Sequence, residues 1–437
     1  MPGKFSYLRK RLESSIWFLP LCFCVASFAL GVAMLQVDRA LPNLVAGLGP
    51  LAMPVDSARQ VLSVIAGSVI TVGGVSFSIT MVALTLTSGQ YGPRVLRHFL
   101  EDNASKVSLA LFLAAYVYAL VVLTGFQETD RPHLTVIVAL LLVLAALVGF
   151  IHFIHRIATD LQADQVIERI GVRLRSSLAD LVELADEKGR SHDVAAWRRR
   201  ARPGDRHSVP STANGYVQTI DYPGLVGWCA DHDARMLVRV RAGDFVITGE
   251  AVLTVYGPGR DTVEDATAEL NTFLVTGPVR TAVQDPEFPI AQLDQVATRA
   301  LSPGINDPGT AISCIDAYTV ALAKIVDAEM PGNVLHDTDD EPRLLIRASR
   351  FDGLVKRVFS RMRQHVGHEI SVRVSLLEAL CRLASMTERR DRLALLGEHG
   401  RLIREAVDDD RLEPYDLDDI HQRFRRLEHL VASRSGA

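Results

Sequence analysis

Few side chains in this sequence have the residue types and spacing that a catalytic or metal-binding site requires. His152 and His155 lie one helical turn apart, and two histidines at this spacing can bind a metal ion or respond to pH. No third ligand is close to them in the sequence, so a helix surface is the simpler interpretation. The five cysteines form no CxxC pair and no Cys/His cluster, so neither a zinc site nor a disulfide framework is indicated. We expect no metal and no cofactor.

A second candidate is the loop LSPGINDP at residues 301–308, between two predicted helices. Ser302, Asn306 and Asp307 on a rigid loop could hold an ion or a small polar ligand. The alternative is structural, because Asp307 before Pro308 is typical of a helix N-cap followed by proline at the first helical position. We favour the structural interpretation and keep the ligand loop as the rival.

Acidic and basic groups form two further sets. Asp285, Glu287 and Asp294 could bind a cation, but no Walker loop, HExxH, GxGxxG or Ser/His/Asp spacing accompanies them. We expect exposed helix charges there and no enzyme activity. The basic residues between Arg347 and Arg373 could bind a nucleotide or anionic lipid, with a charged helix surface as the default. The net charge of only −4 gives no reason to expect a nucleic-acid partner.

The element with the most information is an uncharged apolar segment, residues 61–87. About 20 residues suffice for a helix to cross a bilayer. Its small and hydroxyl residues share one helix face; they are Ser63, Gly67, Thr71, Gly74, Ser78 and Thr85. We call this set the small-residue stripe. Lipid tails gain nothing from glycine or serine, so we expect the stripe to line a path or to contact another helix.

The whole chain indicates an α-helical integral membrane protein with a four-helix transmembrane bundle and a mixed soluble region. A basic tail at 1–15 precedes spans at 16–36, 61–87, 107–126 and 134–154, which form a membrane domain of residues 16–154. Basic residues of the tail and of the loop 88–106 place both termini in the cytoplasm. In this topology Gln90 and Arg94, with His152 and His155, are candidate gate or interface residues at the inner surface.

The soluble part consists of segments with different sequence patterns. An apolar stripe predicts that the fourth span continues as a helix through 155–188, followed by a polar linker at 189–212. Residues 213–258 alternate and predict a small barrel-like β domain, whose GDFVITGEAVL hairpin resembles biotinyl and lipoyl carriers. No lysine lies between Lys188 and Lys324, which excludes a carrier role. Residues 262–435 are predicted to be an α-helical domain.

Three segments together resemble one bacterial family of predicted membrane proteins, domain of unknown function 2254. They are AGSVITVGGVSFSITMVALTLTSGQYGPRVLRHF at 66–99, HFIHRIATDLQADQVIERI at 152–170 and RALSPGINDPGTA at 299–311. The resemblance implies a four-span bundle with a cytoplasmic domain in the bacterial inner membrane. It implies no activity, so it assigns no catalytic residue.

Two classes of function fit these features. The first is an oligomeric channel- or transporter-like protein, with the second span lining the path and the cytoplasmic part regulating it. The second is a membrane-anchored sensor or scaffold without transport, in which the small-residue stripe only packs helices. An unrecognised membrane enzyme is a third interpretation. The expected partners are the lipid bilayer and further copies of the chain, while the sequence names no soluble ligand.

The charge bias predicts the outcome of a reporter experiment. A reporter that is active only in the periplasm should give signal when fused after Gln127, because that loop has few basic residues. The same reporter fused after Gly189 should give no signal. The reverse pattern would place the soluble part outside the cytoplasm and contradict the orientation.

Overall fold

The computed structural model describes residues 17–40, 54–91, 103–127, 133–160, 162–186, 190–201, 206–367, 369–407 and 412–435. The chain forms two compact units, Met1–Val166 and Ile167–Ala437. We call them the membrane unit and the soluble unit.

Four helices form the membrane unit: α1 (Phe18–Ala40), α2 (Val55–Tyr91), α3 (Asn103–Gly125) and α4 (His133–Asp160). Each contains a segment that is long and apolar enough to cross a membrane. The four expected spans are therefore confirmed as apolar helices. At 37 residues, α2 is much longer than the roughly 20 that a bilayer requires.

The central helix of this unit is α3, which packs against each of the other three. Within its most apolar 18-residue segment, 44% of the residues are buried, against 22% in the corresponding segment of each other helix. Small side chains allow this close approach: Gly31 of α1 lies against Val121 and Tyr118, and Ala115 and Ala119 of α3 are buried. Apolar side chains from all four helices then fill the core around α3.

Polar groups hold the ends of these helices. The buried carboxylate of Asp38 accepts hydrogen bonds from the backbone N–H groups of Leu134 (3.1 Å) and Thr135 (3.0 Å) and from the Thr135 hydroxyl (2.8 Å). Arg39 Nη2 donates to the carbonyl of Gly125 at 2.7 Å. Free N–H groups at a helix start and free carbonyls at a helix end need such partners, above all near a bilayer.

The expected continuous helix through 155–188 is two helices. The first, α4, ends at Asp160, and α5 (Ala163–Asp186) begins after Gln162. The Thr159 hydroxyl donates to the carbonyl of Arg156 at 2.9 Å, and Gln162 N–H donates to the Thr159 carbonyl at 3.1 Å. Side-chain bonds of this kind compete with the helical pattern and accompany its interruption here.

The soluble unit contains nine strands in two sheets among its described residues. They are β1 (Arg190–Ser191), β2 (Arg206–Pro210), β3 (Gly215–Ile220), β4 (Arg235–Val238), β5 (Phe245–Val246), β6 (Ala251–Tyr256), β7 (Leu274–Gly277), β8 (Val334–His336) and β9 (Pro342–Leu345). One sheet has the order β1-β8-β9-β4-β6-β2 and the other β5-β3-β7. Only the β4–β9 pair is parallel among the pairings seen.

The prediction of a barrel-like domain at 213–258 is wrong, because neither of these sheets closes. The two arms of the GDFVITGE hairpin separate: β5 pairs with β3, whereas β6 pairs with β2 and β4. Between the arms the chain turns at Gly249, whose φ of +90° is accessible mainly to glycine. The arms therefore enter different sheets instead of pairing with each other.

Ten helices complete the described part of the soluble unit beside α5. They are α6 (Val194–Arg200), α7 (Tyr222–Asp231), α8 (Arg260–Asp265), α9 (Thr267–Thr272), α10 (Glu287–Ala300), α11 (Pro308–Ala323), α12 (Phe351–His365), α13 (Ile370–Ala384), α14 (Arg390–Glu405) and α15 (Pro414–Ser435).

The segment expected to be purely helical, 262–435, therefore also contains β7, β8 and β9. Each of these strands pairs with a strand far away in the sequence or across a turn, and such pairing overrides local helix preference. The expected linker at 189–212 likewise contains α6 and β2. Trp197 of α6 is buried, and its indole N–H donates to the carbonyl of Arg343 at 3.2 Å.

The role of Asp38 can be tested by mutation. Asp38→Ala should lower the free energy of unfolding by about 1–3 kcal/mol, because three donors lose their acceptor in a buried position. Asp38→Asn keeps one acceptor oxygen and should lose less. The control is Asp56→Ala, since the Asp56 side chain is 94% exposed. Thermal unfolding in detergent measures the effect, and equal stability of Asp38→Ala and the control would contradict this role.

Candidate functional site

The small-residue stripe lies on a face of α2 that is exposed among the described residues of the membrane unit. All six of its residues are exposed: Ser63, Gly67, Thr71, Gly74, Ser78 and Thr85. A Cβ atom added at Gly67 or Gly74 would have no neighbouring atom of the described residues within 4 Å. At Gly73, on the opposite face, an added Cβ would lie 3.3 Å from Phe112 Cβ. Packing among the described residues of one copy therefore does not explain the stripe.

Three hydroxyl groups of the stripe donate to their own helix. Thr71, Ser78 and Thr85 donate to the carbonyls of Gly67 (2.8 Å), Gly74 (3.1 Å) and Met81 (2.8 Å). Such bonds satisfy the hydroxyl donor and leave oxygen lone pairs free to accept. These three residues can therefore face water, another helix or lipid without an unsatisfied donor.

Large apolar side chains border the stripe on both sides. Ile70 and Phe77 are exposed along one edge, and Val75 and Val82 along the other. The last two, with Thr71, Gly74 and Ser78, line an open groove of about 620 Å³. This groove is shallow and has an apolar border. It would accommodate another helix or form one wall of a path between copies.

The candidate gate residues are placed only in part. Arg94 lies outside the described residues, and of Gln90 only the backbone, within α2, is described. His152 and His155 are exposed on the last turns of α4, and among the described residues no group of three His, Cys, Asp or Glu side chains is placed to hold a metal ion.

The candidate ligand loop closes one helix and starts the next. The Ser302 hydroxyl donates to the carbonyl of Arg299 at 2.7 Å, at the end of α10. Asp307 caps α11, because its carboxylate accepts from the N–H (3.1 Å) and hydroxyl (2.6 Å) of Thr310. The hydrogen bonds from Thr310 hold the pKa of Asp307 below its ordinary value. Asn306 has a φ of +48°, a turn conformation that asparagine tolerates.

The acids upstream of this loop are buried, so the expectation of exposed helix charges was wrong. Asp285, Glu287 and Asp294 are only 3%, 8% and 8% exposed. Each has an arginine partner; the pairs are Asp285 with Arg280, Glu287 with Arg241 and Arg357, and Asp294 with Arg361. Burial raises the pKa of Asp285, although Arg280 opposes this. These pairs connect α10 to α12 and to the chain before β5.

A signal for this burial was present in the sequence. Glu287 and Asp294 lie on the same face of α10 as Ile290 and Ala297, because their spacing follows the helical repeat. Both apolar residues are buried. A carboxylate on an apolar helix face is rare unless it is paired, so this spacing is a signal of buried, paired acids that the sequence analysis did not use.

A cavity of about 450 Å³ lies beside these ion pairs, lined in part by Asp221, Arg241 and Gln284. Several of its polar groups already have protein partners. Gln284 bonds both backbone groups of Ile220, at 2.8 and 3.1 Å, and Asp221 accepts from the N–H of Gly224 at 3.0 Å. Those hydrogen bonds assign these side chains to holding the fold together.

The described thiols of the soluble unit do not form a reactive site. Cys229, Cys314 and Cys381 are buried. Burial raises the pKa of Cys229 to about 12 and also raises that of Cys314. Because the thiolate is the nucleophile, these cysteines are inert at neutral pH.

The chain matches the model of a known protein family. The family DUF2254, described as predicted membrane proteins, matches residues 13–382. The chain belongs to the DUF2254 family. The matched segment includes all four spans and both sheets, and it ends within α13. In this DUF2254 protein, α14 and α15 lie beyond the match.

Relatives of this DUF2254 protein occur in mycobacteria. The uncharacterized proteins Rv1290c of Mycobacterium tuberculosis and Mb1321c of Mycobacterium bovis are each 25% identical to it over 389 residues. The alignments cover 85% of this chain and 72% of each relative. No solved structure matches the chain.

The capping role of Asp307 predicts a pattern of stability. Asp307→Ala should lower the free energy of unfolding by about 1 kcal/mol at neutral pH, whereas Asp307→Asn, an equally good N-cap, should change it little. Since the folded-state pKa is lowered, this stabilisation is present above the ordinary pKa of 3.8 and is lost as the pH falls through the lower folded value. Denaturant unfolding at several pH values measures it. A stable Asp307→Ala variant would return the loop to the ligand interpretation.

Proposed function

We propose that this protein is an oligomeric, channel-like protein of the bacterial inner membrane. In this proposal α2 from several copies lines a path across the bilayer, both termini lie in the cytoplasm and the soluble unit regulates the path. The observation that carries the proposal is the position of the small-residue stripe, all of whose members are exposed in a single copy.

The contents of the membrane unit support a path between copies rather than through one. The core around α3 is filled by apolar side chains, among them Leu62, Phe112 and Val122. An outward face of small and hydroxyl residues meets neighbouring copies in an oligomer, and its free lone pairs can accept hydrogen bonds from water. Neutral hydroxyls of this kind fit a path for small polar solutes better than an ion-coupled pump, which uses charged groups inside the membrane.

A membrane-anchored sensor or scaffold is the second candidate, and one observation favours it. The stripe hydroxyls already donate to their own helix, and the groove beside them has an apolar border. Small residues four positions apart are also what close helix–helix packing in membranes uses. In this alternative the stripe joins copies of α2 directly, without a path. Neither candidate assigns an enzymatic activity to the protein.

Cysteine labelling at matched depth separates the two candidates. In a background lacking Cys22 and Cys24, Ser78→Cys and Thr71→Cys should react with a charged thiol reagent in membranes, since the thiolate forms only where water is present. Phe77→Cys is the control, because Phe77 is next to Ser78 and is also exposed in a single copy. It should stay unlabelled where it faces lipid.

Solute flux through liposomes provides the second measurement. Labelling at Ser78→Cys should reduce flux, because a charged group would then occupy the path. Unreactive thiols at both stripe positions together with tight liposomes would reject the channel and leave the scaffold. Equal labelling at Phe77→Cys would show general water access and would also contradict a path lined by the stripe.

A further inference from the structure

An open apolar groove lies between α3 and α4 in the membrane unit. It has a volume of about 530 Å³ and is lined by Leu111 of α3 and by six residues of α4, which are Leu141, Leu144, Ala145, Val148, Gly149 and His152. The six positions on α4 follow the helical repeat, so they share one face of that helix. The groove therefore runs along α4 from Leu141 to His152.

Small residues leave room for this groove. Ala145 and Gly149 lie one turn apart on α4, and a Cβ atom added at Gly149 would lie 3.0 Å from Leu111 Cδ1. The larger residues beside them, Leu141, Leu144 and Val148, are 59%, 56% and 59% exposed. Because these side chains belong to a helix long and apolar enough to cross a membrane, the groove requires an apolar occupant.

The length of the groove matches one leaflet of a bilayer. From Leu141 to His152 the helix rises by about 16 Å, at about 1.5 Å per residue. The hydrocarbon core of a bilayer is about 30 Å thick, so one leaflet contributes about 15 Å. An acyl chain of one leaflet fits this length, whereas the groove would cover only about half of a membrane-spanning helix from a second copy.

His152 places a polar group at the end of the groove. The apolar segment of α4 begins at Leu134, and the roughly 20 residues that cross a bilayer end close to His152. The His152 side chain is exposed, and an imidazole N–H can donate a hydrogen bond to a phosphate oxygen. Arg156 follows one turn later, and the sequence of α4 contains no Asp or Glu before Asp160. This basic helix end is complementary in charge to an anionic headgroup.

We propose that this groove binds one phospholipid with an anionic headgroup. One acyl chain lies along Leu141, Leu144 and Val148, and the headgroup phosphate accepts a hydrogen bond from His152. In the proposed orientation, with both termini in the cytoplasm, the lipid belongs to the cytoplasmic leaflet, and only this choice of leaflet rests on the proposed function. The site does not depend on whether α2 lines a path, since its lining residues belong to α3 and α4.

Native mass spectrometry of the full-length protein in detergent micelles tests the site. Phosphatidylglycerol is titrated as the anionic lipid and phosphatidylcholine as the zwitterionic one, and the dissociation constant of the first bound lipid is measured. Wild type should bind phosphatidylglycerol more tightly. Ala145→Leu should weaken this binding about tenfold, because the added side chain displaces the acyl chain from the groove. His152→Ala should weaken it about fivefold through the loss of one hydrogen bond.

Leu147→Phe and His155→Ala are the matched controls, because both residues are exposed on α4 and neither lines the groove. Both variants should bind phosphatidylglycerol like wild type. His152→Lys keeps a hydrogen-bond donor and carries a fixed positive charge, so it should bind phosphatidylglycerol at least as tightly as wild type. A merely structural role of His152 would not produce this rescue.

Two results would overturn the proposal. Equal affinity of wild type for the two lipids, or equal losses in the variants and their controls, would indicate a nonspecific lipid shell. The same spectra report the number of copies in the complex. A change of this number in Ala145→Leu without a change in phosphatidylglycerol affinity would assign the groove to contact with a second copy instead. None of these readouts involves solute flux, so failure of this site and failure of the channel proposal are distinguishable.

Discussion

The absence of water in the bilayer core is the constraint on which the membrane unit depends. Backbone polar groups there need partners within the protein. Asp38 provides one for the start of α4, and Arg39 provides one for the end of α3. The stripe hydroxyls use carbonyls of their own helix. With these groups satisfied, α3 can occupy the centre of four helices and small residues can bring its neighbours close.

The same constraint gives the outward face of α2 its significance. Inside the unit, glycine and serine let helices approach, as Gly73 does against Phe112. On the outward face, the small-residue stripe has no such partner among the described residues of one copy. In the proposed oligomer, neighbouring copies would supply one, either directly through helix packing or around a path, and both proposed functions start from the exposed position of the stripe.

The soluble unit buries several charged side chains next to partners of opposite charge. Asp285, Glu287 and Asp294 are buried with arginine partners, and such pairs are costly to break even when they add little net stability. Arg392 is equally buried; its Nε is 3.4 Å from Asp391 Oδ2 and its guanidinium lies over the Phe351 ring. Each of these buried charges therefore lies next to a side chain of opposite charge, which burial of a charged group requires.

The sequence by itself determined the four spans, the stripe on α2, the capping role of Asp307 and the absence of a lysine for a carrier role. Apolar length, helical spacing and cap residues are local properties, and neighbours in the chain decide them. Only the tertiary structure decided that the stripe faces outward, that the two arms of the GDFVITGE hairpin enter different sheets, that Glu287 is buried, and that Leu111 and His152 line one groove. Each of these depends on contacts between residues far apart in the sequence. The local sequence of a helix face or a strand does not specify which distant element it will contact.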